Sequence, residues 1–153
     1  AGLLHSVWGH QSSDYAEFLP RGKRWIAIAL VLTILQLVLG TQVREQVDLL
    51  NHAEVLRAEW IEALPGWWKM HRSGSWLVLA VQILWLTQLR KAKGGLLNMV
   101  RLVYCLLCLQ ICTGLLFVIL GMPAWAQPIH LLMAVGLVLS HVWVLMHYRS
   151  YRV

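Results

Sequence analysis

Two histidines, His71 and His130, sit in matching surroundings. Each lies about one turn inside the start of an apolar stretch, and each is followed by Leu-Val-Leu, at 77–79 and at 137–139. The stretches that precede them match as well. "LQLVLG" at 35–40 and "LQICTG" at 109–114 are both Leu-Gln-x-x-x-Gly. A pair of segments, one with Gln and Gly and one with His near its start, thus occurs twice. Neutral imidazole is a strong donor to a transition metal, and an ionisable group inside an apolar segment is a functional candidate by default.

The elements that must position these groups are apolar helices. The chain has 153 residues, 59% of them hydrophobic, with mean hydropathy +0.62. That is too apolar for a soluble domain of this size. A membrane-crossing helix needs roughly 20 largely apolar residues. Four stretches qualify, at about 25–43, 73–90, 96–120 and 129–147. They leave no room for a separate soluble domain, so the expectation is an all-α membrane protein, one up-down bundle of four transmembrane helices.

Charge sets the expected orientation. Arg21, Lys23 and Arg24 precede the first span; Arg90, Lys91, Lys93 and Arg101 lie between the second and third; Arg149 and Arg152 follow the fourth. The first connection holds Glu45, Asp48, Glu54, Glu59 and Glu62, five of the seven acids. The last connection, "GMPAWAQP", is uncharged. Both termini are therefore expected inside. The domain plan is a cytoplasmic linker at 1–24, a transmembrane domain at 25–148 with an outer loop at 44–66, and a cytoplasmic tail at 149–153. The chain begins with Ala1 rather than Met, which suggests processing or a longer parent. The net charge of +6 reflects this orientation and not nucleic-acid binding.

In the outer loop, Asn51 and Glu54 read as a helix N-cap and its N3 partner. Leu49, Ala53, Leu56, Trp60 and Leu64 follow at helical spacing, and Pro65-Gly66 ends the pattern. An amphipathic helix is expected here, either anchoring at the interface or roofing the outer end of the bundle. The three cysteines, Cys105, Cys108 and Cys112, share one face of the third span. They read as small packing residues.

The second and fourth spans run in the same direction, so His71 and His130 lie at one depth. In an up-down bundle these helices are diagonal, and their histidines face each other across the axis. A planar macrocycle with an axial ligand on each side fits that arrangement, and bis-histidine haem b is the natural occupant, iron held by His71 and His130. Gly40 and Gly114, on the other diagonal, would clear space for its edges. Two propionates near the outer surface could pair with Arg44 and Arg72 through fork-like hydrogen bonds. Snorkelling to the interface is the alternative for both arginines. His141 is eleven residues beyond His130, roughly 16 Å deeper on nearly the same face. The matching position after His71 is Gln82, so one haem is expected, with His141 packed or hydrogen-bonded.

"LQLVLGTQVREQVD" (35–48), "HRSGSW" (71–76), and "LQICTG" followed by "QPIHLL" (127–132) resemble the haem A synthase family of multi-span membrane proteins. The resemblance covers roughly residues 25–147. It implies two four-helix halves, each with a histidine pair on its second and fourth helices. The family oxidises a methyl group of haem O to the formyl group of haem A, for terminal oxidases. It implies that the N-terminal half carries a catalytic glutamate three residues before its first histidine, and that the C-terminal half holds a b-type haem. Here that position is Trp68, and the loop cysteine pair of many members is absent. The chain thus resembles the C-terminal, cofactor-haem half, and no catalytic residue is assigned.

The expected function is the haem-b-binding, non-catalytic half of a haem A synthase, an oxidoreductase of the inner (plasma) membrane with its haem site toward the outer face. Its expected partners are the lipid bilayer, and haem O and haem A through an N-terminal half. Haem O synthase, oxidase-assembly factors and a second copy of the chain remain open as partners. The alternative is a small bis-histidine b-type cytochrome subunit passing electrons to or from quinone.

Overall fold

The computed structural model describes residues 19–89 and 94–150, with side chains at 22–89 and 95–146. Helix α1 is Leu19–His52; at 1.5 Å per residue its 34 residues reach about 51 Å. A 3-10 turn, Arg57–Glu59, leads into the four-residue α2, Trp60–Ala63. Then come α3, Gly66–Gln88, α4, Gly94–Ile119, and α5, Ala126–Ser150. No strand occurs among the described residues. Residues 1–18 of the linker expected at 1–24, the cationic connection at 90–93 and the end of the tail at 151–153 lie outside them, as do the side chains of Arg21 and Arg149; residues 19–24 of that linker are helical, the first turns of α1.

Local chemistry ends each helix. α1 closes with Val55 N–H donating to the Leu50 carbonyl (3.1 Å) and Glu54 N–H to that of Asn51 (3.2 Å). Glu54 takes φ 55°, the left-handed position of a Schellman stop. α4 stops with Gly121 at φ 62° and Met122 N–H donating to the Phe117 carbonyl (2.9 Å). Pro65 holds Leu64 extended at ψ 135°, which ends α2 and lets α3 start.

The first connection differs from expectation. Asn51 is not a cap: α1 runs through it, and Glu54 terminates that helix instead of starting another. Leu49 and Leu56 are exposed, so no continuous apolar face forms from 49 to 64. Only Trp60 and Leu64 turn inward. They join Val43, Val47, Trp68 and Met122 in an apolar cluster at this end of the bundle. Trp60 is anchored by its indole N–H, which donates to the Val55 carbonyl (3.0 Å). Trp60 and Leu64 thus form a small roof over this end of the bundle, in place of the longer amphipathic helix expected here.

α1 packs against α3 and α5, and α4 packs against α5. α3 and α5 therefore stand diagonally and meet through side chains in the interior. The opposite end has its own core, in which Ile26, Trp85, Leu86, Val103, Leu137 and Val144 bring all four long helices together. Large apolar side chains also face outward, among them Val31, Leu35, Leu77, Leu84, Leu115 and Leu139. Helices apolar on both faces belong in lipid. Among the described residues, three helical segments are long and apolar enough to cross a membrane: Gly22–His52, Gly95–Ile119 and Ala126–Met146. The cysteines lie on the outward face of α4, all three exposed, and not in the packing expected of them.

Candidate functional site

His71 is in the second turn of α3 and His130 in the second turn of α5. The diagonal arrangement brings them side by side in an edge-on arrangement, ring centroids 6.5 Å apart and planes at 71°. Two imidazoles that each bind one metal ion at about 2 Å put their centroids roughly 6 Å apart. The pair thus has the separation of two axial ligands. Among the described residues no cluster of three or more His, Cys, Asp or Glu side chains could hold a metal. The chemistry of the donor set, two neutral imidazoles across a narrow space, fits haem iron and not a four-ligand structural zinc.

Each glycine of the repeat lies against a histidine. A Cβ at Gly40 would sit 3.1 Å from His71 Cε1, and one at Gly114 would sit 3.6 Å from His130 Cε1. Gly40 therefore makes room for the imidazole itself, whereas at Gly114 a Cβ would only touch the ring. The glutamines sit one turn before the glycines. Gln36 Nε2–H donates to the His71 carbonyl (3.2 Å), passing over Gly74, where a Cβ would come within 2.5 Å of that nitrogen. Gln110 Nε2–H donates to His130 Nε2 (3.0 Å). Thr113 Oγ1 lies 2.8 Å from His130 Nδ1. Phe117 sets its ring edge-on to His130, centroids 5.0 Å apart. Three buried atoms here have no partner: Gln36 Oε1, His71 Nδ1 and Gln110 Oε1. Unsatisfied polar atoms are costly in an apolar interior, and their concentration around the two rings marks a place prepared for something polar.

The arginines are less committed. Arg44 forms a two-point pair with Asp48 on its own helix, Nε to Oδ2 3.0 Å and the second nitrogen to Oδ1 2.7 Å. Arg72 is exposed and lines a groove of about 380 Å3 with Ile61, Glu62, Leu64, Trp68 and Lys69. Trp68, three residues before His71, is buried in the roof cluster.

A second polar layer lies deeper. His141 and Gln82 are both fully buried. His141 Nδ1 is hydrogen-bonded to the Leu137 carbonyl, and Nε2 lies 2.9 Å from Gln82 Oε1. Gln82 Nε2–H donates to Thr33 Oγ1 (3.1 Å), which donates to the Ala29 carbonyl (2.7 Å). Both ring nitrogens of His141 thus face oxygens. A neutral ring has one N–H, so one of these two contacts carries the ring's proton. His141 is hydrogen-bonded, as expected, with Gln82 at the position where a second histidine would stand.

Gln36, Gly74, Gln110, Thr113 and Phe117 were not among the expected site residues. The Leu-Gln-x-x-x-Gly repeat carried the signal for the glutamines, since Gln and Gly four apart share a helix face. No curated protein and no solved structure matches the chain significantly. The sequence profile of one family, described as cytochrome oxidase assembly protein, matches residues 3–142, nearly the whole chain. The chain, with its facing histidines in a membrane-type helical bundle, belongs to that family, the haem A synthases.

Proposed function

We propose that this chain is the haem-b-binding half of a haem A synthase, with His71 and His130 as the axial ligands. The observation that carries this reading is the pair of imidazoles on diagonal helices, 6.5 Å apart. Bound there, haem b supplies reversible one-electron transfer in support of the oxidation of haem O to haem A. The chain's own residues do the rest. The histidines bind, Gly40 lets the His71 ring seat, and the roof of Trp60, Leu64 and Trp68 keeps water from that end. Arg44 and Arg72 are the cations available for propionates, Arg44 by exchanging Asp48 for a second carboxylate.

In this reading all four long helices cross the plasma membrane, both termini inside and the histidine pair toward the outer face. α3 has 23 residues, about 34 Å, enough to span a core of about 30 Å. Its lower apolarity comes from Lys69, His71, Arg72 and Gln82. The cofactor role, as distinct from the catalytic one, is supported by Trp68. An indole packed among Val43, Val47 and Met122 offers no carboxylate beside the site.

The test has two parts. Haem extracted from the purified chain is expected to be of b type. Cells that make haem O are expected to form haem A only when a catalytic half accompanies this chain. Haem A formed by this chain alone would contradict the cofactor-half assignment. Quinone-linked haem reduction without any effect on haem A formation would favour the b-type cytochrome.

A further inference from the structure

We propose that Thr113 is a positioning residue that fixes the tautomer of His130, so that Nδ1 carries the hydrogen and Nε2 keeps the lone pair available to a metal. The role as a ligand rests on the haem reading above; the tautomer does not. A threonine hydroxyl has one proton. Thr113 lies on α4 with Oγ1 2.8 Å from the Leu109 carbonyl, one turn back, and 3.1 Å from that of Gln110. Its proton is committed to its own helix. Toward His130 Nδ1, at 2.8 Å, the oxygen can therefore only accept, so Nδ1 carries the hydrogen.

The other side of the ring agrees. His130 Nε2 lies 3.0 Å from Gln110 Nε2, an amide nitrogen that can only donate. Nε2 must then hold a lone pair. Gln110 occupies that lone pair, so a metal bound at Nε2 would have to replace this hydrogen bond. The bare Cα of Gly114 and the edge of Phe117 hold the ring between these contacts.

The repeat makes the comparison internal. The position equivalent to Thr113 in "LQLVLG" is Leu39, which cannot accept a hydrogen bond. Accordingly His71 Nδ1 is buried without a partner, and Gln36 holds only the His71 backbone carbonyl. The two imidazoles are inequivalent. His130 is the oriented, more basic donor, because an accepted N–H raises the basicity of the opposite nitrogen. His71 is the adjustable one.

Nitrogen-15 NMR of the histidine-labelled, haem-free chain reads the tautomer directly and needs no variant. Nδ1–H at His130 is expected; Nε2–H overturns the proposal. With haem bound, Thr113→Val is expected to weaken haem retention roughly tenfold. It should also raise the midpoint potential, because a less basic imidazole stabilises ferric iron less. Thr113→Ser should restore both. A Thr113→Val protein with wild-type potential and retention also overturns the proposal. Absence of haem from the wild-type chain would sink the ligand reading, while the NMR result would still decide the tautomer.

Discussion

Gly40 lies against the imidazole of His71, so close that a Cβ there would meet Cε1 at 3.1 Å. The equivalent approach of Gly114 to His130 is looser, at 3.6 Å, an ordinary van der Waals contact. The two halves of the repeat are thus built alike but with different tolerance.

Alanine substitution should separate them. Gly40→Ala requires the His71 ring to give by a few tenths of an ångström, so overpacking of about 1–3 kcal/mol is expected to outweigh its gain in helix propensity. It should also alter the haem spectrum. Gly114→Ala has room, gains helix propensity, and is expected to be neutral or stabilising by up to about 1 kcal/mol. Thermal denaturation of both variants in detergent, with their spectra, checks this. Equal effects would contradict the asymmetry.

Much of this geometry was legible in the sequence. Long apolar stretches located the four long helices, and matched depth brought His71 and His130 together. The helix ends were not legible. α1 stops at a left-handed Glu54, a conformation that the residue type does not advertise, so Asn51 was misread as the start of a helix. The cysteines were misread because spacing shows that residues share a face, not which way that face points. The contacts of Gln110 and Thr113 with His130 depend on how α4 meets α5, which no single-helix pattern contains.

The deep layer is expected to act in stability. Gln82→Leu leaves His141 Nε2 buried without a partner and should cost about 1–3 kcal/mol. Thr33→Val, one link further from the ring, should cost less. Denaturation midpoints compare the two, and an unperturbed Gln82→Leu protein would show that the contact contributes nothing.

The roof is expected to open when its anchor is removed. Trp60 is 3% exposed, donates to Val55, and lies under the Arg57 guanidinium, 4.8 Å from the ring centre. Trp60→Ala should cost about 3–5 kcal/mol. Arg57→Ala, which removes an exposed cation–π contact, should cost about 0.5–1 kcal/mol. Hydrogen exchange across residues 53–65 reads both, and comparable protection in the Trp60 variant would contradict the roof.

Arg44 and Asp48 are both about half exposed, so their pairing adds only about 0.3–0.5 kcal/mol. That weakness leaves Arg44 free to change partner. Arg44→Ala is expected to lower haem retention, whereas Asp48→Asn is expected to leave it unchanged or raise it. Equal losses would show that the pair serves the helix alone.

The central claim is that His71 and His130 grip one haem iron between them. A reduced-minus-oxidised difference spectrum of the purified chain tests it most directly, taken beside His71→Ala and His130→Ala. The account predicts the alpha band of a low-spin b-type haem in the wild type and its loss in both variants. No such band in the wild type, or an unchanged band in either variant, would contradict it.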